Sequence, residues 1–210
     1  MPKSRINNVK SAELINGACR TLRNGQLLCE EAELLHNNKM FARSYALSHL
    51  AREEIAKSMI IYDVIIKVKG KKKVNWKDFD RKFRCHKAKI INDNGLTLLI
   101  AKTIKDNSIK LNFSALFNSG SIEFSNKRKN QSLYVDWEDG KFVSPDDKIS
   151  ESLSKRNLEI AFYKAVFVTD IILSLESLDK LSADEIKGIF PLDNVEEERE
   201  KFIRNLKLAT

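Results

Sequence analysis

The sequence predicts an all-α protein, a helical bundle with one small β-hairpin or extended insertion near 132–144. Three observations lead there. Apolar residues recur at helical spacing through most of the 210 positions. Gly and Pro, the residues that punctuate or break helices, number only 7 and 3. The period changes once, where Leu133, Val135 and Trp137 alternate ahead of an Asp139-Gly140 turn signal and Phe142-Val143. The length suits a single domain over 1–210 with a full hydrophobic core.

The elements follow in order. Residues 11–36 carry a stripe of Leu14, Ala18, Leu22, Gly25, Leu28, Ala32 and Leu35, with Ser11 as a cap and Asn37-Asn38 as the break. Gly17 and Gly25 weaken this helix and permit close packing, and His36 at its end is expected to face solvent. Residues 40–68 form a second helix with the stripe Leu47, Leu50, Ala51, Ile55, Ser58, Ile61, Tyr62 and Ile65. Glu54 falls inside that stripe, while Glu53 and Lys57 flank it at i,i+4, the favourable order for an ion pair. A carboxylate on a packing face needs a partner. Glu54 is therefore expected to be buried, either in a helix–helix ion pair or orienting a catalytic group from a neighbouring helix.

Trp76, Phe79 and Phe83 place a third helix over 75–92 with its rings inward, and 96–117 reads as a fourth. After the hairpin, Ser144-Pro145-Asp146-Asp147 is a terminator. Residues 150–180 form the most apolar helix, but Lys164 and Asp170 interrupt it and it falls short of a membrane span of about 20 apolar residues. It suits a central bundle helix or a dimer face. Ser182-x-x-Glu185 resembles a capping box, Pro191 breaks the chain, and Val195–Leu208 makes a charged last helix.

Composition narrows the function. Charged residues make up 31% and the net charge is +8, which suits an acidic partner such as nucleic acid. Cys19, Cys29 and Cys85 are too few and too scattered for a disulfide framework or a zinc site. The N-terminus lacks the apolar core of a secretory signal, so the expected location is the cytoplasm, with no membrane partner. No Gly-rich phosphate loop or Ser/His/Asp arrangement is evident, and no metal or other cofactor is expected.

The chemistry concentrates in Lys67–Lys89, which holds eleven Lys and Arg against two Asp. Lys71, Lys72 and Lys73 follow Gly70 as an exposed turn. Asp80 to Lys89 then places His86 five residues after Arg81, among Lys82, Arg84, Lys87 and Lys89. A histidine can move a proton near neutral pH, and an arginine fork can hold a phosphate. Taken alone, these ten residues also fit a solvated basic face with one incidental histidine. On one ideal helix Lys82, His86 and Lys89 share a face, while Arg81 lies about 140° round from His86. Arg81 and His86 can converge only at a helix start or a bend, or if a second subunit supplies one of them.

Three blocks then carry a resemblance. Ala46 to Ser58, with Glu53-Glu54 and Lys57, looks like the Glu-Glu-hydrophobic-small-Lys helix of the abortive-infection AbiV family, within the HEPN superfamily. Phe83 to Lys89 is similar to its His-Lys-x-Lys segment. Leu133 to Trp137, with Gly140 and Ser144-Pro145, resembles its third block. The resemblance implies a HEPN-like helical bundle in antiphage defence. It also implies the superfamily mechanism: metal-independent RNA cleavage by an Arg-x4–6-His motif, usually assembled across a homodimer. Arg81 and His86 fit that motif. Arg84, with one intervening residue, is a competing arginine, and Lys82 stands where the superfamily commonly has Asn, Asp or His.

The reading is an abortive-infection effector that cuts RNA. His86 and Arg81 are its catalytic pair, and Glu53, Glu54 and Lys57 support them. Lys71, Lys72, Lys73, Lys82, Arg84, Lys87 and Lys89 hold the RNA backbone. The expected partners are RNA, a second copy of the chain, and a phage-encoded activator or target protein. The alternatives are a non-catalytic HEPN module that binds a phage or host protein and blocks translation by occupancy, and a plain helical scaffold.

Overall fold

The structure is a computed structural model that describes residues 6–104, 116–175 and 195–207. Its elements are α1 (Ser11–Asn37), α2 (Phe41–Lys69), α3 (Trp76–Arg84), α4 (His86–Ile104), α5 (Ser119–Gln131), β1 (Asp136–Glu138), β2 (Lys141–Val143), α6 (Pro145–Lys148), α7 (Glu151–Leu173) and α8 (Val195–Lys207). The expected all-α bundle with a small hairpin is what forms. The Ser182–Glu185 capping box and Pro191 lie outside the described residues.

Central in this bundle is α2, which buries two stripes at once. Ala51, Ile55, Ser58, Ile61 and Ile65 form one; Ala42, Ala46, His49, Glu53, Ala56, Ile60 and Val64 form the other. The first meets α1 closely. A Cβ built on Gly25 would lie 2.7 Å from Ile55 Cγ1 and 3.2 Å from the Ala51 carbonyl oxygen, so only glycine fits there. On the far side α7 packs on α2 and α1, and Gln26 of α1 donates to Thr169 of α7 at 3.0 Å. The apolar residues of α7 are covered largely within the chain, with Phe202 of α8 stacked 4.8 Å from Tyr163.

Side chains set the helix starts. Asn75 accepts from the Asp78 amide at 3.0 Å to open α3, Asn118 from Ser121 at 2.7 Å to open α5, and Ser150 from Leu153 at 3.2 Å to open α7. In the hairpin Asp139 and Gly140 both take positive φ, 49° and 81°, as a tight two-residue turn requires, and Trp137 pairs with Phe142.

The expected third and fourth helices are divided differently. The break falls at Cys85, whose backbone is extended at φ −82° and ψ 119°, and a new helix runs unbroken from His86 to Ile104. The polar run Asn92-Asp93-Asn94-Gly95 reads as a stop signal but is not one, because its side chains are engaged away from the local backbone amides. Asn92 donates back to the Ala88 carbonyl at 2.8 Å, Asn94 donates to Leu116 at 2.6 Å, and Asp93 is held by two cations. With none of these described side chains capping a local backbone N–H, the helix continues.

His36 also departs from expectation. It is half-buried, with Nδ1 3.0 Å from Ser154 Oγ and its ring against Phe41.

Candidate active site

The break at Cys85 makes His86 the first residue of α4 and turns it toward the second stripe of α2. Its Nδ1 lies 2.7 Å from Oε2 of Glu53. Glu53 is 3% exposed, the His86 side chain 57%. Lys89 of α4 reaches the same oxygen at 2.9 Å, and Lys129 of α5 reaches Oε1 at 3.1 Å. His49, one turn earlier on α2, brings Nε2 to 3.7 Å from Oε1. One buried carboxylate thus gathers four nitrogen-bearing side chains from three helices.

The electrostatics follow. Burial alone would push the Glu53 carboxyl up. Hydrogen bonding and charge from Lys89, charge from Lys129 and the His86 bond outweigh burial and hold it at about 2. With Glu53 ionised, His86 Nδ1 carries the proton and donates it, which leaves Nε2 as the acceptor nitrogen, bonded to none of the described residues. His49 behaves oppositely. Burial, helped by the Arg52 charge, pushes it down to about 3, so it stays neutral, and its Nδ1 has no hydrogen-bond partner among the described residues.

A second buried network braces the first. Asp93 of α4 takes Arg52 Nε at 3.1 Å and Lys164 Nζ at 2.5 Å, and Arg52 also donates to Asn157 at 2.6 Å. Asn157 in turn donates to Ser48 Oγ at 2.6 Å. Burial raises the Asp93 carboxyl, but Arg52 and Lys164 hold it at about 2; burial pushes the Lys164 ammonium down. Arg52 and Glu53 are adjacent on α2, so both networks fix the position of α4 against α2.

The remaining predicted site residues divide. Glu54 is half-buried rather than enclosed and pairs with Lys57 on its own helix; the enclosed carboxylate is Glu53. Lys57 lies 5.3 Å from the centre of the Phe83 ring. Lys89, expected to face the RNA backbone, is buried against Glu53. Arg81 is exposed and bonds Asp78 at 2.6 Å, with Lys82 on the other oxygen at 2.8 Å. Arg84 grips buried Asp80 with two nitrogens, at 3.0 and 2.9 Å. Among the described residues no hydrogen bond or ion pair joins Arg81 or Arg84 to His86. Lys71, Lys72, Lys73 and Lys87 are exposed.

Sequence reasoning missed Lys129 and His49. A four-three alternation of small, apolar and polar residues from Ala42 to Ile60 marks the stripe holding His49 and Glu53. Nothing local to Lys129 distinguishes it from neighbouring lysines. No group of three or more His, Cys, Asp or Glu among the described residues could hold a metal ion. No described helix is long and apolar enough to cross a membrane.

The model of the AbiV-type HEPN family matches residues 13–165, a span that contains α2, the His86 turn and the hairpin. The chain belongs to the AbiV family of HEPN proteins. Membership points to an abortive-infection HEPN module, and the AbiV match takes in Glu53, His86, Lys89 and Lys129 together. No curated protein and no solved structure gives a significant match to this AbiV-family chain.

Proposed function

We propose that this AbiV-family protein is an abortive-infection effector that cleaves RNA by the metal-independent HEPN route, with His86 as its proton-transfer group. The observation that carries this reading is the Glu53–His86 bond of 2.7 Å, which holds an exposed imidazole by Nδ1. Lys87, in the first turn of the same helix, adds an exposed cation beside it.

In this reading Nε2 takes the proton from a ribose 2′-hydroxyl as its oxygen attacks the adjacent phosphorus. The bond from phosphorus to the 5′-oxygen breaks, and that oxygen leaves with a proton taken from water, while the imidazolium returns its proton to solvent. The products are a 2′,3′-cyclic phosphate and a 5′-hydroxyl. Glu53 is a positioning residue: it accepts from Nδ1 and so fixes the tautomer and the ring's orientation. Arg81 stabilises the charge on the pentavalent phosphorus, and a second copy of the chain brings it to His86. Its exposure and its bond to Asp78 rather than to His86 support an intermolecular role. A phage-encoded activator or target protein fits the same reading.

The test is RNA cleavage and plaque formation with soluble, folded His86→Ala. Removing a general acid–base typically costs about 10²–10⁴ in rate. Protection at the parental level by that variant would overturn the ribonuclease reading. One observation favours the second reading, binding of a phage or host protein by occupancy: Trp137 and Phe142 on the hairpin are 59% and 76% exposed and, among the described residues, pack edge-on against each other. A pull-down that survives His86→Ala would favour it.

A further inference from the structure

A cleft of about 500 Å³ opens between the first turn of α4, α5 and the chain entering β1, one residue along α4 from His86. The volume is in the range of small-molecule sites. Its position follows from two connections. Lys87, which follows His86 directly, lines it. Asn126 and Asn130 line it from α5, flanking the Lys129 that reaches in to Glu53.

The lining chemistry selects a class of ligand. Lys87 and Lys127 are matched by Glu123 and Asp136, so the cleft as a whole carries no excess charge for a phosphate. The Asn126 and Asn130 amides stand four residues apart on one helix face and bond to no described residue. Paired carboxamide donors and acceptors match the hydrogen-bonding edge of a nucleobase. Tyr134, 65% exposed, offers a flat ring beside them. A stacking ring with free amides is how proteins take one splayed base from a single strand.

We propose that this cleft is a nucleobase subsite, which holds one unstacked base of the RNA strand whose scissile phosphate lies at His86. The phosphates stay with exposed lysines outside it. The subsite rests on the ribonuclease reading for the strand's direction, but not for base binding itself.

Two measurements test it. The first is anisotropy with 2′-O-methyl 12-mers of each base, which bind but cannot be cleaved. The parent should favour one or two bases. Tyr134→Ala should weaken the favoured strand about tenfold or more, and Tyr134→Phe should restore it, because stacking needs the ring and not the hydroxyl. The second is cleavage of otherwise 2′-O-methyl strands with a single ribonucleotide flanked by each base. Asn126→Ala combined with Asn130→Ala should flatten the base preference in kcat/KM while cutting continues. If the parent cuts RNA but these variants keep its base preference and affinity, the subsite is wrong and the ribonuclease reading stands. If no RNA is cut but the anisotropy responds as described, the ribonuclease reading fails and the base site stands. Equal affinity of parent and Tyr134→Ala for every strand overturns the subsite whatever the cleavage result.

Discussion

Glu53 Oε2 lies 2.7 Å from His86 Nδ1, a contact between residues 33 positions apart that no helical repeat could bring together. The same carboxylate neutralises Lys89 and Lys129, so it is at once a positioning group and the counter-ion of two buried ammonium groups.

Removing that charge should therefore cost stability as well as orientation. Glu53→Gln keeps the shape but leaves two buried cations uncompensated, and a loss of roughly 3–5 kcal/mol is expected. Glu54→Ala breaks only a half-buried pair within one helix and should cost no more than about 1 kcal/mol. Urea unfolding of the two variants side by side checks the order; equal losses would mean that Glu53 is not the structural centre of the site.

The Asp93 triad separates a buried charge from its partner. Asp93→Ala strands Arg52 and Lys164 and should cost roughly 3–5 kcal/mol. Lys164→Met removes a cation whose burial is itself costly and leaves Asp93 paired with Arg52, so a change within about 1 kcal/mol is expected. A Lys164→Met variant as damaged as Asp93→Ala would contradict this division.

Acid should act in two windows. His49 is neutral in the fold down to about pH 3, against an ordinary value of 6.5. Below pH 6.5 the unfolded chain takes up a proton there that the native chain does not, so stability falls with falling pH, by up to about 1.4 kcal/mol per pH unit. Glu53 and Asp93 are held at about 2, against 4.5 and 3.8, and their contribution is complete above those ordinary values and lost as pH falls toward 2. Urea midpoints between pH 7 and 5 should slope in the parent and lose that slope in His49→Leu.

Two glycines should respond with opposite signs. Gly25→Ala gains helix propensity of about 1 kcal/mol but drives a Cβ against Ile55 and the Ala51 carbonyl, for a net loss of about 1–2 kcal/mol. Gly95→Ala meets nothing within 4 Å inside α4 and should stabilise by about 0.5–1 kcal/mol. Thermal melts of both variants decide this.

The two arginines are distinguishable in the same way. Arg81→Ala should abolish RNA cleavage and leave the melting midpoint unchanged, since Arg81 is exposed and among the described residues bonds only Asp78, one turn away on its own helix. Arg84→Ala strips buried Asp80 of a two-nitrogen partner and should lower stability by about 1–3 kcal/mol. Arg81→Lys should not restore cleavage, because an ammonium lacks the guanidinium fork. Full activity in Arg81→Ala would move the phosphate-binding role elsewhere.

By itself the sequence determined the elements with strong local causes. The period of α1, α2 and α7, the Asp139-Gly140 turn and the inward Phe79 all follow from neighbours within a few residues. It also carried the family, through three short blocks in order. Only the tertiary structure decided which glutamate is enclosed. Because α2 is covered on two sides, its two stripes both read as core, and the presence of α4 and α5 over the second stripe selects Glu53 above Glu54. The same holds for the stop signal at 92–95 that does not stop a helix, because Arg52, Lys164 and Leu116 occupy its side chains from a distance. Periodicity reports how a helix meets its surroundings on average, whereas a buried charge is placed by the particular partner that compensates it, and here every such partner of Glu53 but His49 comes from another helix.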